Sequence, residues 1–138
     1  MTDAQFPSGP WTGCYNYRAG GERYRMDMTL TFKNGRIDGE GGDGVGLFVV
    51  SGYYDPEAGE CWWTKGYVGA HDVAYHGFRE GRRIWGTWVL TWAPVRPGGT
   101  HGGFQIWPVG EEPAEEAVAT KEQRVPAAPV RLGAGLGE

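Results

Sequence analysis

The chain has 138 residues, a formal net charge of −4, and 14% aromatic residues. That length predicts one domain, and no basic stripe is present that could displace counterions from a nucleic-acid backbone. The longest apolar stretch, residues 45–50, is far too short to span a bilayer as a helix.

At the N-terminus, Met1-Thr2-Asp3-Ala4-Gln5 shows no basic region followed by an apolar run, so no leader is expected. Residues 1–9 read as a flexible lead-in, residues 10–110 as the domain, and residues 111–138 as a tail. The expected compartment is the cytoplasm, where Cys14 and Cys61 stay reduced. Without CxxC spacing they make neither a metal nor a redox motif, and they read as small buried fillers.

Alternation of Trp11, Gly13, Tyr15 and Tyr17 with Thr12, Cys14 and Asn16 predicts a first strand. The clearest strand is residues 25–33. Met26, Met28, Leu30 and Phe32 share one face, and Asp27, Thr29, Thr31 and Lys33 share the other. Asn34-Gly35 then marks a two-residue hairpin turn, with a return through residues 36–40. Further strands are expected at residues 47–54, 60–68, 73–79, 84–93 and 103–108, with turns at 55–59 and 80–83 and a Pro/Gly loop at 94–99. About eight short strands without helical periodicity predict an all-β, antiparallel up-and-down barrel. Such a barrel encloses a volume that side chains just fill or one small ligand occupies.

All 7 Trp, 7 Tyr and 5 Phe precede residue 111. The tail instead carries Pro113, Pro126, Pro129 and a Gly/Ala-rich end, which reads as disordered, with a marginal helix conceivable over residues 115–123. Six Glu against Lys121, Arg124 and Arg131 place −3 of the net charge there.

Within residues 48–90 lie three segments with a familiar pattern. They are Phe48-Val49-Val50-Ser51-Gly52-Tyr53-Tyr54-Asp55, Ala70-His71-Asp72 leading to Tyr75-His76-Gly77, and Arg83-Ile84-Trp85-Gly86-Thr87-Trp88-Val89-Leu90-Thr91. Together with Gly9-Pro10-Trp11 they resemble the avidin and streptavidin family, over about two thirds of the domain. The resemblance implies an eight-stranded barrel with a ligand pocket. It places Trp63, Tyr75 and Trp88 at aromatic pocket walls. The positions that hold the family's polar cage fall here at Gly13, Gly41, Asp72 and Gly102. Each missing partner would leave part of a buried ureido group unpaired, at about 1–3 kcal/mol, so tight biotin binding is not expected.

The candidate ligand site is therefore Trp63, Tyr75 and Trp88 as stacking surfaces, with Asp43, His71 and Asp72 orienting a ligand at the mouth. The same three aromatics could simply fill the core. Gly86, two residues before Trp88 on the same face, is expected to leave room for a ligand on the ring. The acidic glycine-rich segment 39–46 could close over a ligand through Glu40 and Asp43, or be a solvated turn.

An enzymatic alternative, an isomerase or hydrolase, uses His71 or His76 as base with Glu40 or Asp72 as partner. A third reading is an interaction module. Trp85 and Val89 give residues 84–93 a second apolar face, which predicts a homo-oligomer, dimer or tetramer, unless the tail or a loop covers it. No cofactor or metal motif is present, and no nucleic-acid or membrane partner is expected.

Overall fold

A computed structural model of the chain describes residues 5–90 and 101–124. Eight strands follow in order: β1 (Gly9–Asn16), β2 (Tyr24–Lys33), β3 (Arg36–Asp43), β4 (Leu47–Asp55), β5 (Glu60–Tyr67), β6 (Asp72–Glu80), β7 (Arg83–Leu90) and β8 (His101–Pro108). Each pairs antiparallel with the next, and β8 returns to β1, which closes the barrel as the strand count predicts. Residues 91–93 of the expected seventh strand, the 94–99 loop, residues 1–4 and residues 125–138 lie outside the described residues.

Local chemistry explains the hairpins. Asn34 (φ 52°) and Gly35 (φ 79°) both take the left-handed conformation that a tight β2–β3 turn requires. At β4–β5, Asp55 Oδ1 accepts from the Glu57 and Ala58 amides at 3.0 and 3.3 Å.

The inward faces follow the period of two. Met26, Met28, Leu30 and Phe32 of β2 are all buried, and the intervening residues are exposed. Opposite Trp63, Gly52 lets β4 and β5 approach. A Cβ there would lie 2.0 Å from the Trp62 carbonyl oxygen and 2.5 Å from Trp63 Cα.

One expectation about the chain ends is corrected. The lead-in was expected to be flexible, yet Phe6 is completely buried, with its ring 5.3 Å from Phe32 and 4.8 Å from Tyr54. It closes the end of the barrel that carries the β2–β3 and β4–β5 turns. Ser8 Oγ accepts from the Phe32 amide at 2.9 Å, and the Trp11 indole donates to the Pro7 carbonyl at 2.8 Å. Aromatic burial and these bonds outweigh the entropy of ordering a short segment.

The tail was expected to be disordered apart from a marginal helix conceivable over residues 115–123, and that helix forms. Glu115–Arg124 forms helix α1, which docks on the outer wall through buried Val118, Lys121 and Glu122. Gln105 Nε2 donates to the Val118 carbonyl at 2.9 Å, and Arg23 reaches Glu122 at 2.7 Å and Glu115 at 2.8 Å. An isolated ten-residue helix is marginal in water. Here tertiary contacts with β1, β7 and β8 hold it.

Cys61 lies inside the barrel and Cys14 on the outer wall, half-buried near α1. Burial pushes the Cys14 thiol up to about 11 from 9.0, and pushes Cys61 up further. Iodoacetamide at neutral pH should therefore alkylate Cys14 about 100-fold more slowly than a free thiol, with Cys61 slower still. The urea-unfolded chain should react at both positions at the ordinary rate. Mass spectrometry of timed aliquots checks this.

Candidate functional site

The interior is filled at the Phe6 end and through its middle. Trp63 stacks on Tyr75 (centroids 5.2 Å apart, 10° between planes), and Phe104 meets both rings edge-on. Trp63 is thus a core residue below the cavity and not part of its wall. At the opposite end, where β3–β4 and β5–β6 turn, a cavity of about 60 Å³ remains. Tyr15, Tyr17, Lys65, Tyr67, His71, Tyr75 and Trp88 line it. A volume this small holds about two waters or a ligand of a few heavy atoms, well below the roughly 300–1,000 Å³ of a drug-sized site.

The period of two places Lys65 inside, between Trp63 and Tyr67 on the same face of β5. It is 2% exposed. Its Nζ lies 4.8 Å from the centroids of the Tyr15 and Phe48 rings, 5.0 Å from Tyr67 and 5.1 Å from Tyr75. Four ring faces around one ammonium form a cation–π cage. Nζ also donates to Asp43 Oδ2 at 2.8 Å, and the Tyr67 hydroxyl donates to the same oxygen at 2.6 Å.

Asp43 does a second job. Its Oδ1 accepts from the Val45 amide at 2.9 Å and the Gly46 amide at 3.4 Å, which shapes the β3–β4 turn. One carboxylate therefore ties the mouth loop to the buried lysine.

Burial alone would raise the Asp43 carboxyl, but the hydrogen bonds from Lys65 and Tyr67 outweigh it and hold Asp43 below the usual carboxylate range. Burial pushes Lys65 below the ordinary lysine value, and Asp43 offsets part of that. Burial and the Asp43 charge both raise the Tyr67 phenol. Burial raises Tyr75 and pushes Tyr15 up to about 12. The mouth thus presents one cation, one carboxylate and neutral phenols at neutral pH.

Trp88 does line the cavity. Its indole donates to the Asn16 carbonyl at 3.0 Å, and its ring meets Tyr17 edge-on at 5.2 Å. The glycine beside it is Gly102, where a Cβ would fall 2.7 Å from Trp88 Nε1. Gly86 does not leave the expected room: its missing Cβ would strike the His76 carbonyl oxygen at 2.0 Å. The neighbouring strand, not a ligand, takes that space.

The other candidates disperse. Asp43 points inward, with its side chain fully buried, instead of waiting at the mouth for a ligand. His71 sits at the rim, its ring 5.1 Å from Tyr67. Asp72 is exposed, on the face of β6 opposite buried Val73. Glu40 lies on the outer wall, in a broad open concavity of about 610 Å³ with Leu47 and Val49. That hollow is larger than the mouth, but no buried charge converges on it. His76 is also outside. It stacks on Trp62 at 5.5 Å and pairs with Glu60 at 2.6 Å. The alternative acid–base set of His71, His76, Glu40 and Asp72 is therefore not assembled around one cavity.

Trp85 is half-buried on the outer wall, where Lys121 of α1 lies 4.4 Å over its ring and pairs with Glu80. The chain's own helix thus covers Trp85, as the alternative of cover by the tail anticipated. Val89, on the same face, is half-buried as well.

The sequence points to Asp43, His71, Tyr75 and Trp88 and groups Lys65 and Tyr67 with His71, Asp72 and His76 as a polar cluster. It does not single out Lys65 and Tyr67 as ligand residues and gives no sign of Tyr15 and Tyr17. The signal for Lys65 and Tyr67 was present in their parity with Cys61 and Trp63. Compared with family models, curated proteins and solved structures, the chain finds no match.

Proposed function

We propose that this barrel binds a small polar molecule at its mouth and does not transform it. The observation that supports this most is the meeting of Lys65, Asp43 and Tyr67 with Tyr15, Tyr75 and Trp88 beside a cavity of about 60 Å³. A few fixed polar groups orient the ligand, and ring faces desolvate it. The likeness to the avidin family agrees with a ligand at this end of a barrel. The cavity size and the absent polar cage argue against tight biotin binding. A cytoplasmic setting suits two free thiols.

A second reading is an interaction surface. On the outer wall Tyr53 and Trp62 are 60% and 41% exposed and face each other across β4 and β5. Aromatic exposure of this kind favours a partner or a second copy.

One native mass spectrum of the protein purified from its own cells tests both. Under the binding reading it shows a small extra mass that disappears on denaturation. Trp88→Ala should weaken binding by up to about tenfold, the loss expected for one stacked ring, and so lower the occupied fraction. A bare chain in both proteins would defeat the binding reading. Subunit number in the same spectrum decides the interaction reading for a second copy.

A further inference from the structure

We propose that Lys65 captures a small neutral carbonyl compound, an aldehyde of about two or three carbons, as a reversible imine inside the mouth cavity. This rests on the small-molecule reading of the same site.

Of the chain's three lysines, Lys65 alone points into the barrel. Lys33 is exposed at the end of β2, and Lys121 lies outside on α1. A buried ion pair is an expensive way to stabilise a core, since well-packed apolar side chains serve as well or better. Its presence beside a cavity calls for a use.

Imine formation needs an unprotonated amine within reach of the carbonyl carbon. Lys65 lines the cavity, and burial makes its free base more accessible than that of a surface lysine. The ring walls of Tyr75 and Trp88 can hold the carbon chain.

The step balances without an outside reagent. A C–N bond forms and the carbonyl C–O bond breaks. The ammonium's nitrogen gives up two protons, which leave with the carbonyl oxygen as water. The third stays on the iminium. One positive charge is present before and after. Asp43 and the four rings that face the ammonium therefore face the iminium in the same place. The Tyr67 hydroxyl bond keeps Asp43 ionised as its counter-ion.

The test uses the folded full chain, propanal and sodium cyanoborohydride at neutral pH, followed by peptide mapping. Lys65 should be alkylated about tenfold faster than Lys33, as for a desolvated amine. In urea the two should react alike. Lys65→Arg should remove the interior label, with an unchanged circular dichroism spectrum showing that the fold survives. Labelling of Lys33 and the N-terminal amine with Lys65 untouched would overturn the imine. If the native spectrum then still shows a bound ligand, only the imine fails. If it shows none, the mouth-binding reading fails with it.

Discussion

Asp43→Asn should destabilise the barrel by about 3–5 kcal/mol, the cost of leaving a buried charge without its partner. Lys65 is 2% exposed, and Asp43 is its only ionised contact among the described residues. Lys65→Met should cost less. The Asp43 carboxyl that remains can bind a proton, and methionine fills the ring cage. The double variant Asp43→Asn/Lys65→Met should recover most of the loss, because no buried charge is left. Urea unfolding of the four proteins gives the coupling directly. Losses that simply add would mean that the two groups do not act as a pair.

The same contact sets an acid dependence. Asp43 titrates below the usual carboxylate range in the folded chain, so the unfolded chain binds that proton more readily. Its contribution is complete above the unfolded value of about 4 and disappears as pH falls through the lower folded value. Melting curves of wild type and Asp43→Asn should therefore be far apart at pH 7 and converge toward pH 3. A gap that stays constant would place the effect in packing and not in ionisation.

Phe6→Ala should cost about 3–5 kcal/mol, as for other fully buried phenylalanines. The ring is wedged between Phe32 and Tyr54, and the Arg79 guanidinium lies 5.7 Å over it. Removing it leaves a cavity at the barrel's closed end. Ser8→Ala should cost only about 1 kcal/mol, the value of one hydrogen bond. The two variants together separate a plug from a mere tether. A Phe6→Ala loss no larger than that of Ser8→Ala would mean that other groups close the floor.

The contrast between these sites shows where sequence reading succeeds. Alternation in residues 25–33 predicted β2 with its buried face, and Asn34-Gly35 predicted its turn, because both signals lie within neighbouring residues. The inward positions of Tyr75 and Trp88 followed from the same parity. Lys65 obeys that parity too. Only the approach of β3 to β5, which brings Asp43 within 2.8 Å, makes an inward lysine tolerable.

Composition misjudged the N-terminal end. Phe6 is one ring in a polar stretch, and its burial depends on a hollow built by β2 and β4. Helix α1 is held by Arg23 in the β1–β2 connection, Gln105 on β8 and Trp85 on β7, all distant in the chain. Gly86 and Gly102 look alike in sequence, and register alone decides that Gly102 is the one beside the Trp88 indole.

By itself, then, the sequence determined the all-β class, the eight-stranded barrel and the inward face of β2. Those features are encoded by a two-residue period and by turn chemistry, which act over a few residues. The tertiary structure decided that Phe6 seals one end of the barrel and α1 covers part of the outer wall, and that a caged Lys65–Asp43 pair lies beside a small mouth cavity at the other end. Each of these joins groups far apart in the chain, and their energies exist only once the strands have met.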